Sequence, residues 1–156
     1  MGRNKYPEET VAKILDAALE LFCAQGYEGT SIQDIVDRLD GMTKGAIYHH
    51  FKSKEEIFNA AFDRAMAPIV ERRRATLGAG NMTGAQKLKR LYAPESVVPQ
   101  IDLWARMHPA ADPVKSSRLL AMQYQGSFDE SADGYLLPVI EEGIADGSIA
   151  CACPRE

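Results

Sequence analysis

A chain of 156 residues, 46% of them hydrophobic, can bury one good core or two small lobes, and its composition does not point to disorder. The formal net charge of -4 argues against wholesale coating of nucleic acid but leaves room for a local basic patch. No apolar run approaches the roughly 18 residues that span a bilayer, no hydrophobic signal segment follows Met1–Lys5, and three cysteines are an odd set ill suited to a disulfide framework; a cytoplasmic protein is expected.

Helical period appears first in Ile14, Leu15, Ala18, Leu21 and Phe22, a stripe that a helix would bury on one side. Pro7, Glu8 and Glu9 suit its start, and Gln25-Gly26 its end, where glycine can take the left-handed conformation. Thr30 followed by Gln33 reads as a capping box that opens a second helix reaching about Leu39. Asp40-Gly41-Met42 then interrupts the apolar pattern, and Thr43 is the N-cap candidate of a third helix running to about His50. Helix, tight turn, helix is the plan of a DNA-reading motif. From Thr43 to Lys54 the titratable residues are Lys44, His49, His50, Lys52 and Lys54 with no acid, although a solvated charged surface would look the same.

Ser53 and Glu56 form another capping box, opening a fourth helix that continues toward Leu77 and that Pro68 should kink. Gly78 to Gly84 is the clearest linker-like stretch. Beyond it, Leu88, Leu91 and Tyr92 make a short helical stripe ending at Pro94, and Val97, Val98, Ile101, Trp104 and Met107 make another ending at His108-Pro109. Helices from about Val114 to Phe128 and from about Ser131 to Ala145, the latter disturbed by Pro138, complete an all-α reading with no competing strand signal.

The segments Ile14 to Phe22, Gly26-Tyr27, Thr30-Ser31-Ile32, Asp34-Ile35 and Thr43 to Glu56 together resemble the TetR family of bacterial transcriptional repressors. The resemblance covers roughly Ile14 to Ala61, and its many positions agree at fixed spacing. It implies a helix-turn-helix DNA-binding domain over 1–52 and a helical regulatory domain over 53–156, which binds a small-molecule inducer. It further implies a homodimer on a palindromic double-stranded operator, with no cofactor. Two departures stand out. Leu39-Asp-Gly-Met-Thr43 holds one residue more than the family's usual turn, and Gly143 to Ile149 resembles the segment before the last two family helices, which form the dimer interface. Those helices are not read in this sequence, as expected of a shortened chain or of a protein that dimerises otherwise, which puts the dimer in question.

Within the third helix, Gly45 and Ala46 permit close approach to a major groove, Lys44 can donate to guanine, and Tyr48 can touch a thymine methyl or a phosphate. Thr30, Ser31, Thr43, His49 and Lys54 suit phosphate oxygens, and the resemblance supports Tyr48, His49 and Lys54 especially; capping or simple solvation would also account for the threonines and Lys54. In the second lobe Trp104, Met107, Met122, Tyr124, Phe128 and Tyr135 are pocket candidates, with ordinary core packing as the alternative. In the family's manner, ligand occupancy would bias the fourth helix and move two readers away from the spacing of about 34–36 Å that one DNA turn demands.

Catalysis is not expected: His49 and His50 are adjacent rather than four apart, His108 stands alone, and Gly78-Ala-Gly80 lacks the third glycine of a dinucleotide fingerprint. Two rival functions remain. A thiol or metal sensor would use Cys151 and Cys153, and a helical protein-interaction module would keep the fold without binding DNA.

Overall fold

The computed structural model describes residues 7–107 and 132–151, and the helix expected near 114–128 lies outside them. Every regular element among the described residues is helical: α1 (Pro7–Gly29), α2 (Ile32–Arg38), α3 (Lys44–His50), α4 (Lys54–Leu77), α5 (Gly84–Leu91), α6 (Pro94–Met107), a π-helical turn (Ala132–Leu136) and α7 (Leu137–Ala145). The all-α, TetR-like expectation agrees with this element order. The chain divides into two units, whose described residues are 7–66 with 103–107, and 67–102 with 132–151.

In the first unit the apolar stripe of α1 buries Ile14, Leu15, Ala18 and Phe22. They share a core with Ile35 of α2, Ile47 of α3, Ile57, Phe58 and Ala61 of α4, and Leu103. Each large aliphatic or aromatic side chain so buried contributes about 1.5–3 kcal/mol. Phe22, Tyr27 and Phe58 form an aromatic triangle with ring centroids 5.1–5.8 Å apart. Exposed ion pairs, Arg38–Glu20 at 2.8 Å and Arg64–Asp16 at 3.0 Å, lie on the rim and add little.

Two local expectations need correction. The α1 backbone breaks at Gly26 as expected, but with φ 82° and ψ 167°, an extended left-handed conformation that only glycine adopts readily, rather than a helical cap. The N-cap of α2 is Ser31, not Thr30: the Asp34 N–H donates to Ser31 Oγ at 3.2 Å and the Ser31 N–H donates to Asp34 Oδ2 at 2.7 Å. Thr30 is buried, and its hydroxyl donates back to the Gly26 carbonyl at 2.7 Å. It thus serves the break in α1 rather than the start of α2.

In α4, the Glu56 N–H donates to Ser53 Oγ at 3.1 Å, whereas the Glu56 carboxylate accepts from the Lys52 N–H at 2.6 Å, one residue earlier than a strict capping box. The helix remains one element through Pro68, which is exposed. That ring removes one hydrogen bond without ending the helix.

In the second unit, the end of the linker-like stretch is itself a helix start. Thr83 Oγ1 accepts from the Gln86 N–H at 3.4 Å and Gln86 Oε1 from the Thr83 N–H at 2.9 Å. The turn after α7 supplies two more acceptors, with the Gly84 N–H donating to Asp146 Oδ2 at 2.8 Å and the Ala85 N–H to Ser148 Oγ at 3.1 Å. All the amides that a helix N-terminus leaves open here have side-chain partners. The two helices meet through glycines: a Cβ on Gly84 would lie 2.3 Å from the Gly143 Cα, and one on Gly143 would lie 2.4 Å from Ile149 Cδ1. Lys87 is buried beside this crossing, its ammonium 2.7 and 2.8 Å from the two Glu142 carboxylate oxygens. Pro138 sits in the first turn of α7, where the missing N–H costs nothing, and the π turn precedes it.

Candidate nucleic-acid interface

Between α2 and α3 the Leu39–Met42 turn is closed by the Met42 N–H donating to the Leu39 carbonyl at 3.1 Å. Gly41 occupies its third position with φ 73°, as a type II turn requires. The additional residue is thereby absorbed in an ordered turn. Thr43 then caps α3, accepting from the Ala46 N–H at 3.2 Å.

Ile47 is wholly buried, and this fixes which side of the short helix α3 faces outward. Lys44, Gly45, Tyr48 and His49 are exposed, Ala46 and His50 half-buried. Tyr48 leaves 53% of its surface open, a large aromatic held out from a lobe in which Phe22, Phe51 and Phe58 are buried. Nothing inside the chain calls for a glycine at position 45, since an added Cβ would meet only Thr43 Oγ1, at an ordinary 3.8 Å. Ser31 and Thr43 are exposed beside this face, though each hydroxyl already accepts an amide proton.

Two residues expected at the same surface point elsewhere. Thr30 is 1% exposed, with its hydroxyl bound inward. The Lys54 ammonium donates to the Tyr27 carbonyl at 2.7 Å and the Thr30 carbonyl at 2.9 Å, and lies 4.1 Å from the Tyr27 ring centroid. The Tyr27 carbonyl, in the last turn of α1 beyond the Gly26 break, accepts otherwise from the Thr30 N–H at a long 3.4 Å, and the Thr30 carbonyl lies in the link between α1 and α2. Lys54 therefore ties the start of α4 to that link. Burial, then the charges of Glu55 and Glu28, raises the Tyr27 phenol above its ordinary pKa, so the ring stays neutral beneath the ammonium. Sequence pattern offered no signal for this role, because the partners are main-chain atoms 24 and 27 residues away.

A family described as "Bacterial regulatory proteins, tetR family" matches residues 14–61, the stretch that builds α1 to the first turns of α4. Over residues 14–61 the chain carries the TetR-family domain. Over 64 residues it is 42% identical to the transcriptional regulator AcrR of Shigella flexneri, covering 41% of this chain and 29% of that protein. Over 62 residues it is 42% identical to SrpR of Pseudomonas putida, covering 40% and 29%. It is 38% identical over 69 residues to the A-factor receptor protein of Streptomyces griseus, covering 44% and 25%. Each match thus spans less than a third of the relative's length.

The TetR-like fold extends further than the sequence match. The TetR family regulator PfmR of Thermus thermophilus superposes with a TM-score of 0.63 at 26% identity, covering 89% of this chain and 74% of that one. A TetR-like regulator of Rhodococcus sp. RHA1 has a TM-score of 0.63 at 21% identity, covering 95% and 76%.

Of the pocket candidates, Trp104 packs edge-on against Phe62 of the first unit, ring centroids 5.3 Å apart. Met122, Tyr124, Phe128 and the Met107 side chain lie outside the described residues. Tyr135 lines a cavity of about 110 Å³ in the second unit, together with Tyr92 of the Leu88–Tyr92 stripe and with Arg72 and Arg73, which the apolar pattern had not singled out. Cys151 is exposed, Cys153 lies outside the described residues, and no cluster of metal-binding side chains occurs among the described ones. No described helix is long and apolar enough to cross a membrane.

Proposed function

We propose that this protein is a cytoplasmic, DNA-binding transcriptional repressor, acting as a homodimer on a palindromic operator and released by a small-molecule inducer. The observation that carries the reading is the outer face of α3, where Lys44, Tyr48 and His49 stand exposed on a helix anchored by Ile47, in a segment without acids. Lys44 and Tyr48 read base edges, while Ser31, Thr43 and His49 meet phosphates. Gly45 and Ala46 leave room for the groove. Thr30 and Lys54 act from behind, holding the α1–α2 link on which this face is mounted.

Release would run along α4, which carries Phe62 in the first unit and the cavity residues Arg72 and Arg73 in the second. Pro68, one hydrogen bond short, is the natural place for that helix to bend. Selection of bound sequences from a random duplex pool tests the reading. A palindrome should emerge whose half-sites lie about one helical turn apart, with affinity falling steeply as salt rises. Binding without sequence preference would overturn it in favour of a module that no longer reads DNA.

A further inference from the structure

The cavity of the second unit has an unusual wall for a protein of net charge -4. Arg72 and Arg73 enter it from α4, Tyr92 from the end of α5, Gln100 from α6, and Tyr135 from the π turn. Ile69, Leu91 and Val97 supply its apolar part. No carboxylate side chain lines it among the described residues. The guanidiniums are held in place: one Arg72 N–H donates to the Glu95 carbonyl, Arg73 donates to Gln100 Oε1 at 3.3 Å, and its guanidinium carbon lies 4.5 Å from the Tyr135 ring centroid. A guanidinium has five N–H donors, so a single bond to a carbonyl leaves Arg72 with donors for a ligand. The Tyr92 phenol is raised above its ordinary pKa, first by burial and then by Tyr135, with Arg73 opposing, and so remains a hydrogen-bond donor.

We propose that this cavity binds the carboxylate of a small organic acid, with the planar anion on the Arg72 and Arg73 side and a short apolar body against Ile69, Leu91 and Val97. This rests on the inducer-binding part of the function proposed above and names the chemical class of that inducer. A cation would face the Arg72 guanidinium, and a neutral amide would forgo the charge-assisted bonds. The cavity of about 110 Å³ takes only a compact head, but Arg72 and Thr76 also line a neighbouring cleft of about 510 Å³ flanked by Arg90, Met82 and Gln86. A longer tail would run there. This arginine-lined wall is the reason to look for acids rather than for the hydrophobic cations that an all-apolar or acidic pocket would admit.

Calorimetric titration of the whole chain with benzoate, benzamide and inorganic phosphate, in the absence of DNA, tests the assignment. Benzoate should bind saturably and at least about tenfold more tightly than benzamide, with phosphate weaker than benzoate for want of an apolar body. Arg72→Gln should weaken benzoate by about tenfold or more. Tyr92→Phe, which removes one hydroxyl and leaves the backbone bonds intact, should weaken it severalfold. Equal binding of benzoate and benzamide, tighter binding of phosphate, no saturable binding of benzoate, or unchanged affinity in a folded Arg72→Gln protein would each overturn it. Benzoate that binds as expected yet leaves the selected operator occupied would support the cavity assignment and defeat the inducer reading, so the two fail separately.

Discussion

Two lysines set the two units apart. Lys54 in the first and Lys87 in the second are both drawn into the fold, but Lys54 donates to main-chain carbonyls beside an aromatic ring, whereas Lys87 is 5% exposed and locked onto a carboxylate. The surroundings follow the same division. Buried hydrophobic residues among the described ones belong to the first unit except Val139, and the second unit's buried groups include Thr76, Lys87, Gly84 and Gly143. The first is held mainly by apolar area, with Thr30 and Lys54 as its inward polar ties; the described part of the second is held by backbone contact and a polar cluster. A unit of the first kind loses stability when volume is removed, and one of the second kind when volume is added.

Phe22→Ala should therefore be the most damaging change, costing about 3–5 kcal/mol in urea unfolding, because it empties the centre of the aromatic triangle. A loss under about 1 kcal/mol would break the contrast. Gly84→Ala should cost about 1–3 kcal/mol, since the new methyl meets the Gly143 backbone, which cannot step aside as a side chain would. Its unfolding curve should show whether the second unit loosens before the first. Lys54→Met should cost about 1–2 kcal/mol through two lost carbonyl bonds, and it should leave the salt dependence of operator binding unchanged. Lys44→Met should do the reverse, with stability near that of the parent and a salt slope shallower by about 0.9. A slope change in Lys54→Met would return that lysine to the phosphates.

Gly45→Ala should stabilise the first unit by up to about 0.5 kcal/mol, as a glycine in the first turn of α3 is replaced without a clash, while weakening operator binding by crowding the groove. Unchanged affinity would remove Gly45 from the interface. The smallest effect is with pH. Asp34 is held below its ordinary pKa of 3.8 by the Ser31 N–H and hydroxyl. Asp146 is held below the same value by the Ser148 hydroxyl, the Gly84 N–H and the Ser148 N–H. A depressed carboxylate stabilises fully above its unfolded value and loses that contribution as pH falls through the folded one. Melting temperature should thus be flat above about pH 5 and fall below about pH 4. Asp34→Asn and Asp146→Asn should each flatten part of the fall.

Element starts were the most legible part of the chain where one cap stood alone, as at Thr43. At Thr30 and Ser31 two overlapping patterns, Thr-x-x-Gln and Ser-x-x-Asp, competed, and burial of the threonine methyl decided between them. Thr83 carries an equally plain cap, obscured by the glycines around it. The exposed face of α3 followed from the period of Ile47 and Phe51. What pattern did not reveal are partners distant in sequence: the carbonyls of Tyr27 and Thr30 for Lys54, Glu142 for Lys87, and the convergence of Arg72, Arg73 and Tyr135 on one cavity. Charged and aromatic residues at those positions look the same whether solvated or enclosed.

The capping of α5 from the turn after α7 also sets a timetable. The Gly84 N–H and its acceptor in Asp146 lie 62 residues apart, so at the ribosome's pace of about 5–20 residues per second α5 waits several seconds for its partners. Lys54 reaches Tyr27 after only 27 residues. Helices themselves form within about a microsecond, so the interval is governed by translation rather than by the search for contacts. The first unit of a nascent chain can therefore order most of its core while Gly84 still presents a bare strip of backbone, and during that interval the chain is most open to a mistaken partner.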